Sequence, residues 1–197
     1  MPWPDQIAVN GPMMHQVFMH ADYPDERMIE VEALRYLGLA EIAPIGNGVL
    51  VLGEYASTAT ERLLTFVNRA LDELHSTATY RPHPTQADAA LPSIRIALDQ
   101  HPDLISALGS CNVTICGPSS SAAVESCCLA RSTIIVGDPH SFLGSPAEGM
   151  PGAILVKTAF ELSAALAATS PNDPGAIPGV YHLEPGLPRW QALIHCS

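Results

Sequence analysis

Short runs of β-favouring residues alternate along this sequence with longer segments of helical periodicity. The clearest run is Gly48–Leu52, whose uncharged residues are typical of a strand buried on both faces. It is followed by a segment in which Leu63, Leu64, Val67 and Leu71 recur at helical spacing. This alternation predicts an α/β fold, in which a doubly wound and mostly parallel sheet is covered by helices.

The remaining segments fit the same plan. Further strands are expected at Ile7–Val9, Met28–Val31, Thr77–Arg81, Asn112–Cys116, Thr133–Val136 and Ala153–Val156, and a short element of unassigned type is expected around Ile94–Leu98. Further helices are expected at Met13–Ala21, after Ser57 or Thr58 as the N-cap, at Leu104–Leu108, from Gly117–Ser121 to about Ala130, at Ala159–Ala168 and at Pro188–Ile194. We expect one Rossmann-like domain, residues 1–170, followed by a Pro- and Gly-rich tail, residues 171–197.

Composition and charge restrict the class of protein. The 197 residues are 47% hydrophobic and 15% charged, which is typical of a globular chain. A net charge of −11 with nine Lys and Arg argues against nucleic-acid binding, which needs clustered cations. Apolar runs are too short for a transmembrane segment. The five cysteines form no CxxC pair or even framework, which favours buried, reduced thiols and a cytoplasmic protein.

Ligands of open α/β sheets bind outside the carboxyl ends of the strands. In this sequence, that rule selects four segments: Gly53–Ser57, Arg81–Thr85, Gly117–Ser121 and Gly137–Phe142. We therefore expect the functional residues to lie in these four places.

The segment Gly117–Ser121 gives the strongest local signal. Three consecutive serines after Gly-Pro, at a strand-to-helix junction, provide hydroxyls and backbone N–H groups for an anion. The alternative is that a serine only caps the helix. Neither a Walker loop nor a GxGxxG sequence is present, so nucleotide triphosphate hydrolysis and ordinary dinucleotide binding are not favoured.

Three other residues follow or face predicted strand ends. His83, between two prolines that stiffen its turn, can donate to a phosphate or act as an acid, or only pack in the turn. Glu54 can accept from sugar or ribose hydroxyls, or cap the next helix. Glu125 lies six residues after Ser119, where it can reach a ribose or remain a solvated helix residue.

Together these motifs resemble those of bacterial sialyltransferases, polysialyltransferases and capsule Kdo transferases of the GT-B class. His83-Pro84 matches the HP motif of those families, and Ser119-Ser120-Ser121 matches their downstream serine motif. Ile7–Gly11, Tyr23-Pro24 and Ile29–Arg35 resemble the stretch that follows the inter-domain linker. The resemblance covers most of the chain and implies the C-terminal, donor-nucleotide-binding half of a GT-B enzyme.

The resemblance also implies roles for the phosphate-side residues. Ser119, Ser120 and Ser121, with the backbone that follows Gly117, would hold the phosphate of the donor. His83 would be the catalytic residue, because it would contact the same phosphate and help the nucleotide leave. The donor would be a CMP-linked sugar for bacterial surface polysaccharide synthesis, with no metal and no other cofactor.

Supporting residues are implied in the same way. Arg81 and Arg35 are candidate cations, and Glu54 and Glu125 are candidate contacts for hydroxyl groups. GT-B enzymes of these families carry a second Rossmann-like domain that brings the acceptor. We therefore expect a separate acceptor-binding domain or chain as partner, and an isolated chain that is inactive in transfer.

Two other classes of function stay open. One is a non-catalytic, degenerate nucleotide-binding or protein-interaction module. The other is a Ser hydrolase with Ser119, Asp138 and His140, whose chain order agrees with α/β-hydrolases although GxSxG is absent. The eight histidines are scattered without HExxH or paired-cysteine spacing, so no metal site is expected.

Overall fold

A computed structural model describes residues 4–41, 46–86, 94–129, 131–137, 144–169 and 180–195. Its strands are β1 (Ile7–Val9), β2 (Met28–Glu30), β3 (Gly48–Leu52), β4 (Ala78–Arg81), β5 (Ile96–Leu98), β6 (Cys111–Cys116), β7 (Ser132–Val136) and β8 (Ala153–Val156). Its α-helices are α1 (Pro12–His20), α2 (Ser57–Leu74), α3 (Leu104–Gly109), α4 (Ala122–Cys128), α5 (Ala159–Ala168) and α6 (Pro188–His195).

The chain divides into two compact units. One combines Met1–Glu41 with Gly175–Ser197, and the other is Ile42–Pro174. This grouping is based on contacts between residues. The expected division into a nucleotide-sugar-binding domain, residues 1–170, and a tail, residues 171–197, is based on composition and motifs and stays a prediction.

The larger unit contains a six-stranded sheet in the order β5-β4-β3-β6-β7-β8, and every neighbouring pair is parallel. From β3 the chain first moves outward to β5 and then, from β6, outward to β8. The direction of winding therefore reverses between β3 and β6, as in a Rossmann-like sheet. The predicted doubly wound α/β fold is confirmed.

Helices cover this sheet because its strands are apolar on both faces. α2 packs with α5, and Ser163 of α5 donates to Glu73 Oε2 of α2 at 2.7 Å. Right-handed crossovers that leave β3 and β6 in opposite directions place α2 and α4 on opposite faces. The core includes Val51, Leu63, Leu64, Val67, Leu71, Ile115, Ile134 and Leu162.

Most predicted elements have the expected bounds to within two residues, with two differences at helix starts. Ser57 or Thr58 as the cap of α2 is wrong: the N-cap is Ala56, without a side-chain capping bond. The helix predicted to open at Gly117 begins at Ala122. The intervening segment instead makes turn-like bonds, from Ser120 N–H to Gly117 O and from Ala123 N–H to Ser120 O.

A buried guanidinium lies at the amino-terminal edge of the sheet, opposite the carboxyl ends of the strands. Arg131 is 1% exposed and donates to the carbonyls of Leu108 and Leu129, both at 2.8 Å. These carbonyls lie at the C-terminal ends of α3 and α4, where a cation is favoured by the helix dipole. Burial lowers the pKa of Arg131. Its role is to hold two helix ends together.

The smaller unit is a βαβ arrangement with an added helix. β1 and β2 are paired in parallel, from Ile7 with Met28 to Val9 with Glu30, and α1 connects them. Glu32, 1% exposed, accepts from the backbone N–H groups of Arg189 at 3.0 Å and Trp190 at 3.1 Å. A single carboxylate therefore caps the first turn of α6.

Candidate functional site

Glu54, which lies just after the carboxyl end of β3, has a buried side chain. Thr60, in the first turn of α2, accepts from Glu54 N–H at 2.9 Å and donates to Glu54 O at 3.1 Å. The hydroxyl of Thr60 thereby fixes the backbone at Glu54. The glutamate is 4% exposed, and no described residue makes a hydrogen bond to its Oε1.

The loop after β6 meets this glutamate. Ser119 is exposed, and its hydroxyl donates to Glu54 Oε2. A Cβ on Gly117 would lie only 2.6 Å from the carboxyl group of Glu54, so any larger residue there would displace this carboxyl group. Because β3 and β6 flank the reversal of the winding, this hydrogen bond spans the place where open α/β sheets bind ligands.

The loop after β4 adds a histidine to the same edge. Tyr55 lies edge-on to His83 with ring centroids 5.5 Å apart, and Gln86 Nε2 donates to Tyr55 O at 2.6 Å. Thr85 N–H lies 3.3 Å from His83 Nδ1, and Thr85 Oγ1 lies 2.8 Å from it. A backbone N–H can only donate, so Nδ1 accepts and the proton of the neutral ring is on Nε2. That N–H is the donor which His83 can offer to a ligand.

The other members of the serine segment lie beside Ser119. Ser121 is exposed and occupies the N-cap position of α4, but its hydroxyl makes no capping bond to the helix. The simple capping role considered from the sequence therefore does not apply to this residue. Ser120 is half-buried.

The guanidinium of Arg81 is engaged on the β5 side of β4. Its guanidinium donates to Asp99 Oδ2 at 2.5 Å and to His101 O at 3.0 Å. Burial raises the pKa of Asp99, but hydrogen bonds from His101 and Arg81 outweigh it and hold that pKa below its usual range. Arg81 thus stabilises a buried carboxylate beside β5, and its predicted role toward a ligand stays a prediction.

Glu125 and Arg35 differ in surroundings. Glu125 is 6% exposed within α4, so it is not the solvated helix residue considered as an alternative. Arg35 is exposed in the smaller unit, with its guanidinium carbon 5.7 Å from the ring centroid of Tyr36. Contacts of either residue with a ligand stay predictions. Asp138 and His140 of the hydrolase hypothesis lie outside the described residues.

A cavity of about 210 Å³ opens at the carboxyl ends of β7 and β8. Pro118, next to the serine segment, lines it together with Gly137, Glu148 and Lys157. Lys157 is the only lysine of the chain, and it lies outside the four segments that the strand-end rule selects. The signal was available, because this cation directly follows the last strand of an acidic protein.

The smaller unit has a separate groove of about 500 Å³. Its lining includes Phe18, Tyr36, Tyr181 and Trp190, with Asn10 as a polar member. The rings of Tyr36 and Tyr181 have centroids 4.8 Å apart. Aromatic walls with few polar groups are typical of small-molecule sites.

The described ranges contain neither a candidate metal site nor a candidate bilayer span. No group of three His, Cys, Asp or Glu residues there is arranged to hold a metal ion. None of the helices described is both long and apolar enough to cross a membrane.

Comparison with known proteins identifies the fold. No family model and no curated protein matches the chain by sequence. A solved glycosyltransferase from Rickettsia africae is 11% identical, with a TM-score of 0.53 over 97% of this chain and 62% of that one. Anabaena HepE, solved in complex with UDP, is 12% identical, with a TM-score of 0.51 over 90% and 58%. The fold is the Rossmann-like fold of GT-B glycosyltransferases.

A third similar structure is a variant of the wall teichoic acid polymerase TagF, 13% identical, with a TM-score of 0.50 over 98% of this chain and 57% of that one. Identity at this level establishes the fold alone. The chain spans about three fifths of the length of the solved structures that it matches. Activity, substrates and partners therefore have to be argued from the site.

Proposed function

We propose that the chain binds a nucleotide-sugar donor for glycosyl transfer, at the carboxyl ends of β3, β4 and β6. The observation that carries this proposal is the hydrogen bond between Ser119 and Glu54 across the reversal of the winding. The loop after β4 is tied to the same place, because Gln86 donates to the carbonyls of Glu54 and Tyr55. Three of the four segments that the strand-end rule selects from the sequence thus meet at one edge.

His83 is the proposed phosphate contact and catalytic residue. Its Nε2–H donates to a phosphate oxygen of the donor and stabilises the charge that develops as the nucleotide leaves. Ser120 and Ser121 supply further hydroxyl donors, and Lys157 in the adjacent cavity supplies a positive charge. Positive charge at this position favours an anionic ligand in a protein whose net charge is −11.

The nucleotide and the acceptor are the finer parts of the proposal. The sequence resemblance favours a CMP-linked sugar and a role in bacterial surface polysaccharide synthesis. HepE was solved in complex with UDP, so a UDP-linked sugar is the second candidate. Transfer requires an acceptor-binding domain or chain, which the resemblance implies as the partner.

Calorimetric titration tests donor binding. CMP, UMP, UDP, GMP and AMP are titrated into the wild type, and cytidine and uridine serve as ligands without phosphate. We expect a pyrimidine nucleotide to bind, and His83→Ala to weaken that binding about tenfold while leaving the affinity for the nucleoside unchanged. His20→Ala, at an exposed histidine of α1, is the matched control and should change neither affinity.

The competing hypothesis makes a different forecast for the same titrations. A folded wild type that binds none of the five nucleotides would refute the donor-site proposal. It would favour the degenerate interaction module instead.

A further inference from the structure

The hydrogen bond between Ser119 and Glu54 fixes the direction in which one proton points. A serine hydroxyl carries a single hydrogen, and an ionised carboxylate carries none. Ser119 therefore donates its one hydrogen bond to Glu54 and turns oxygen lone pairs toward solvent. Ser119 Oγ can accept a hydrogen bond from a ligand, but it has no second proton to donate to a phosphate.

The charge behind the serine acts in the same direction. Glu54 is buried, and its Oε1 lacks a hydrogen-bond partner among the described residues, so its negative charge is poorly compensated there. Arg81, the cation predicted for this region, is engaged by Asp99. A phosphate placed directly on Ser119 would meet a like charge across a single hydroxyl group.

The position of the carboxylate is built into the fold. Thr60 holds the backbone of Glu54 through two hydrogen bonds, and Gly117 leaves the space that its carboxyl group occupies. The first turn of α2 thereby fixes the backbone of Glu54, and the loop after β6 leaves room for its carboxyl group beneath Ser119. The orientation of the serine proton is a property of the site before any ligand arrives.

We infer that Ser119, oriented by Glu54, recognises a ligand hydroxyl rather than a phosphate. This inference rests on the proposed function and assigns the recognition of a ribose or sugar hydroxyl within the same site. It divides the serine motif, because Ser120 and Ser121 remain on the phosphate side while Ser119 determines specificity for a polyol. The carboxylate makes Ser119 a stronger acceptor.

The test compares a nucleotide with its dideoxy form, which lacks the ribose hydroxyls, and with its sugar conjugate, which adds the hydroxyls of the sugar. CMP, 2′,3′-dideoxy-CMP and CMP-N-acetylneuraminate are titrated into the wild type, Ser119→Ala and Ser121→Ala. If a uridine nucleotide is the one that binds, UMP is compared with its dideoxy form, and UDP is compared with UDP-glucose. A ribose contact predicts that the wild type prefers CMP to the dideoxy form by about tenfold. A sugar contact predicts the same preference for the nucleotide sugar over CMP. Ser119→Ala should abolish the preference without weakening the ligand that lacks the hydroxyl, and Ser121→Ala should retain it.

Removal of the charge gives an independent readout. In Glu54→Gln the shape is kept and the repulsion is lost, so affinity for inorganic pyrophosphate should rise about threefold or more. Thermal unfolding of each variant confirms that it is folded.

Two results would overturn the inference. One is a Ser119→Ala variant that binds CMP and dideoxy-CMP more weakly by the same factor, as a phosphate donor would. The other is a wild type that binds nucleotides with neither preference. Failure of the wild type to bind any nucleotide would instead refute the proposed function, and with it this inference.

Discussion

At the scale of single residues, the site depends on close approach as much as on functional groups. Gly117 and Gly53 both lie where a side chain would collide with a neighbour. A Cβ on Gly53 would lie 2.8 Å from the backbone nitrogen of His83. Two glycines therefore allow the loops after β3, β4 and β6 to touch.

Substitution at Gly117 tests this dependence. Gly117→Ala should displace Glu54, lower the free energy of unfolding by about 1–3 kcal/mol and weaken nucleotide binding. Chemical denaturation and calorimetry measure the two effects. Gly48→Ala is the control in the same unit, because a Cβ there would meet Ser110 O at an ordinary 3.7 Å. Equal losses in both variants would show that Gly117 has no special role.

At the scale of elements, the carboxylate of Glu32 anchors α6 by accepting hydrogen bonds from the first turn of that helix. Burial raises the pKa of Glu32, but the backbone hydrogen bonds from Arg189 and Trp190 outweigh it and lower that pKa below its usual value. The stabilisation is therefore present above the pKa of the unfolded chain, about 4.3. It is lost as pH falls through the lower, folded value.

A pH titration of α6 follows from this linkage. The fluorescence of Trp190, measured in a Trp3→Phe background, should show α6 detaching as pH falls below about 4. Glu32→Gln should detach α6 more readily at pH 7 and flatten the acid dependence. Glu184→Gln removes a half-exposed partner of the same Arg189 and should change little. An identical acid transition in wild type and Glu32→Gln would contradict this assignment.

The same scale shows what the sequence can predict. Strand and helix periodicity predicts β3, β8 and α5 to the residue, because each buries a regular apolar pattern. The strand-end rule brings Glu54, His83 and Ser119 to one edge.

These two rules do not predict which side chains of distant segments contact each other. The hydrogen bond of Ser119 joins residues 65 positions apart. The pairing of Arg81 with Asp99 and the burial of Arg131 depend on how neighbouring strands and helices pack. Local patterns carry no information on such packing, so the direction of a long side chain is the least predictable feature of the site.

At the scale of the whole molecule, the two units differ in how well their strands are protected. The central strands of the larger unit have a neighbour on each side and helices on both faces. The smaller unit has only the pair of β1 and β2 among its described strands. Parallel strands are ordinarily buried, and a two-stranded sheet alone is marginally stable.

Hydrogen exchange should reveal this difference. Amides of β6 and β7 should exchange most slowly, and those of β1 and β2 should exchange faster by on the order of tenfold or more. Mass spectrometry of peptides from native protein measures both groups. Equal protection of β1 and β6 would show that another segment or chain covers the small sheet.

The four described thiols lie where the larger unit is best protected. Cys111, Cys116, Cys127 and Cys128 are buried and unpaired, and burial raises their pKa values, to about 12 for Cys128. Sulfur in this protonated, enclosed form does not react with alkylating agents. Irreversible alkylation of these thiols therefore requires that the strand or the helix flanking the serine segment opens. The rate of alkylation measures how often that part of the chain opens.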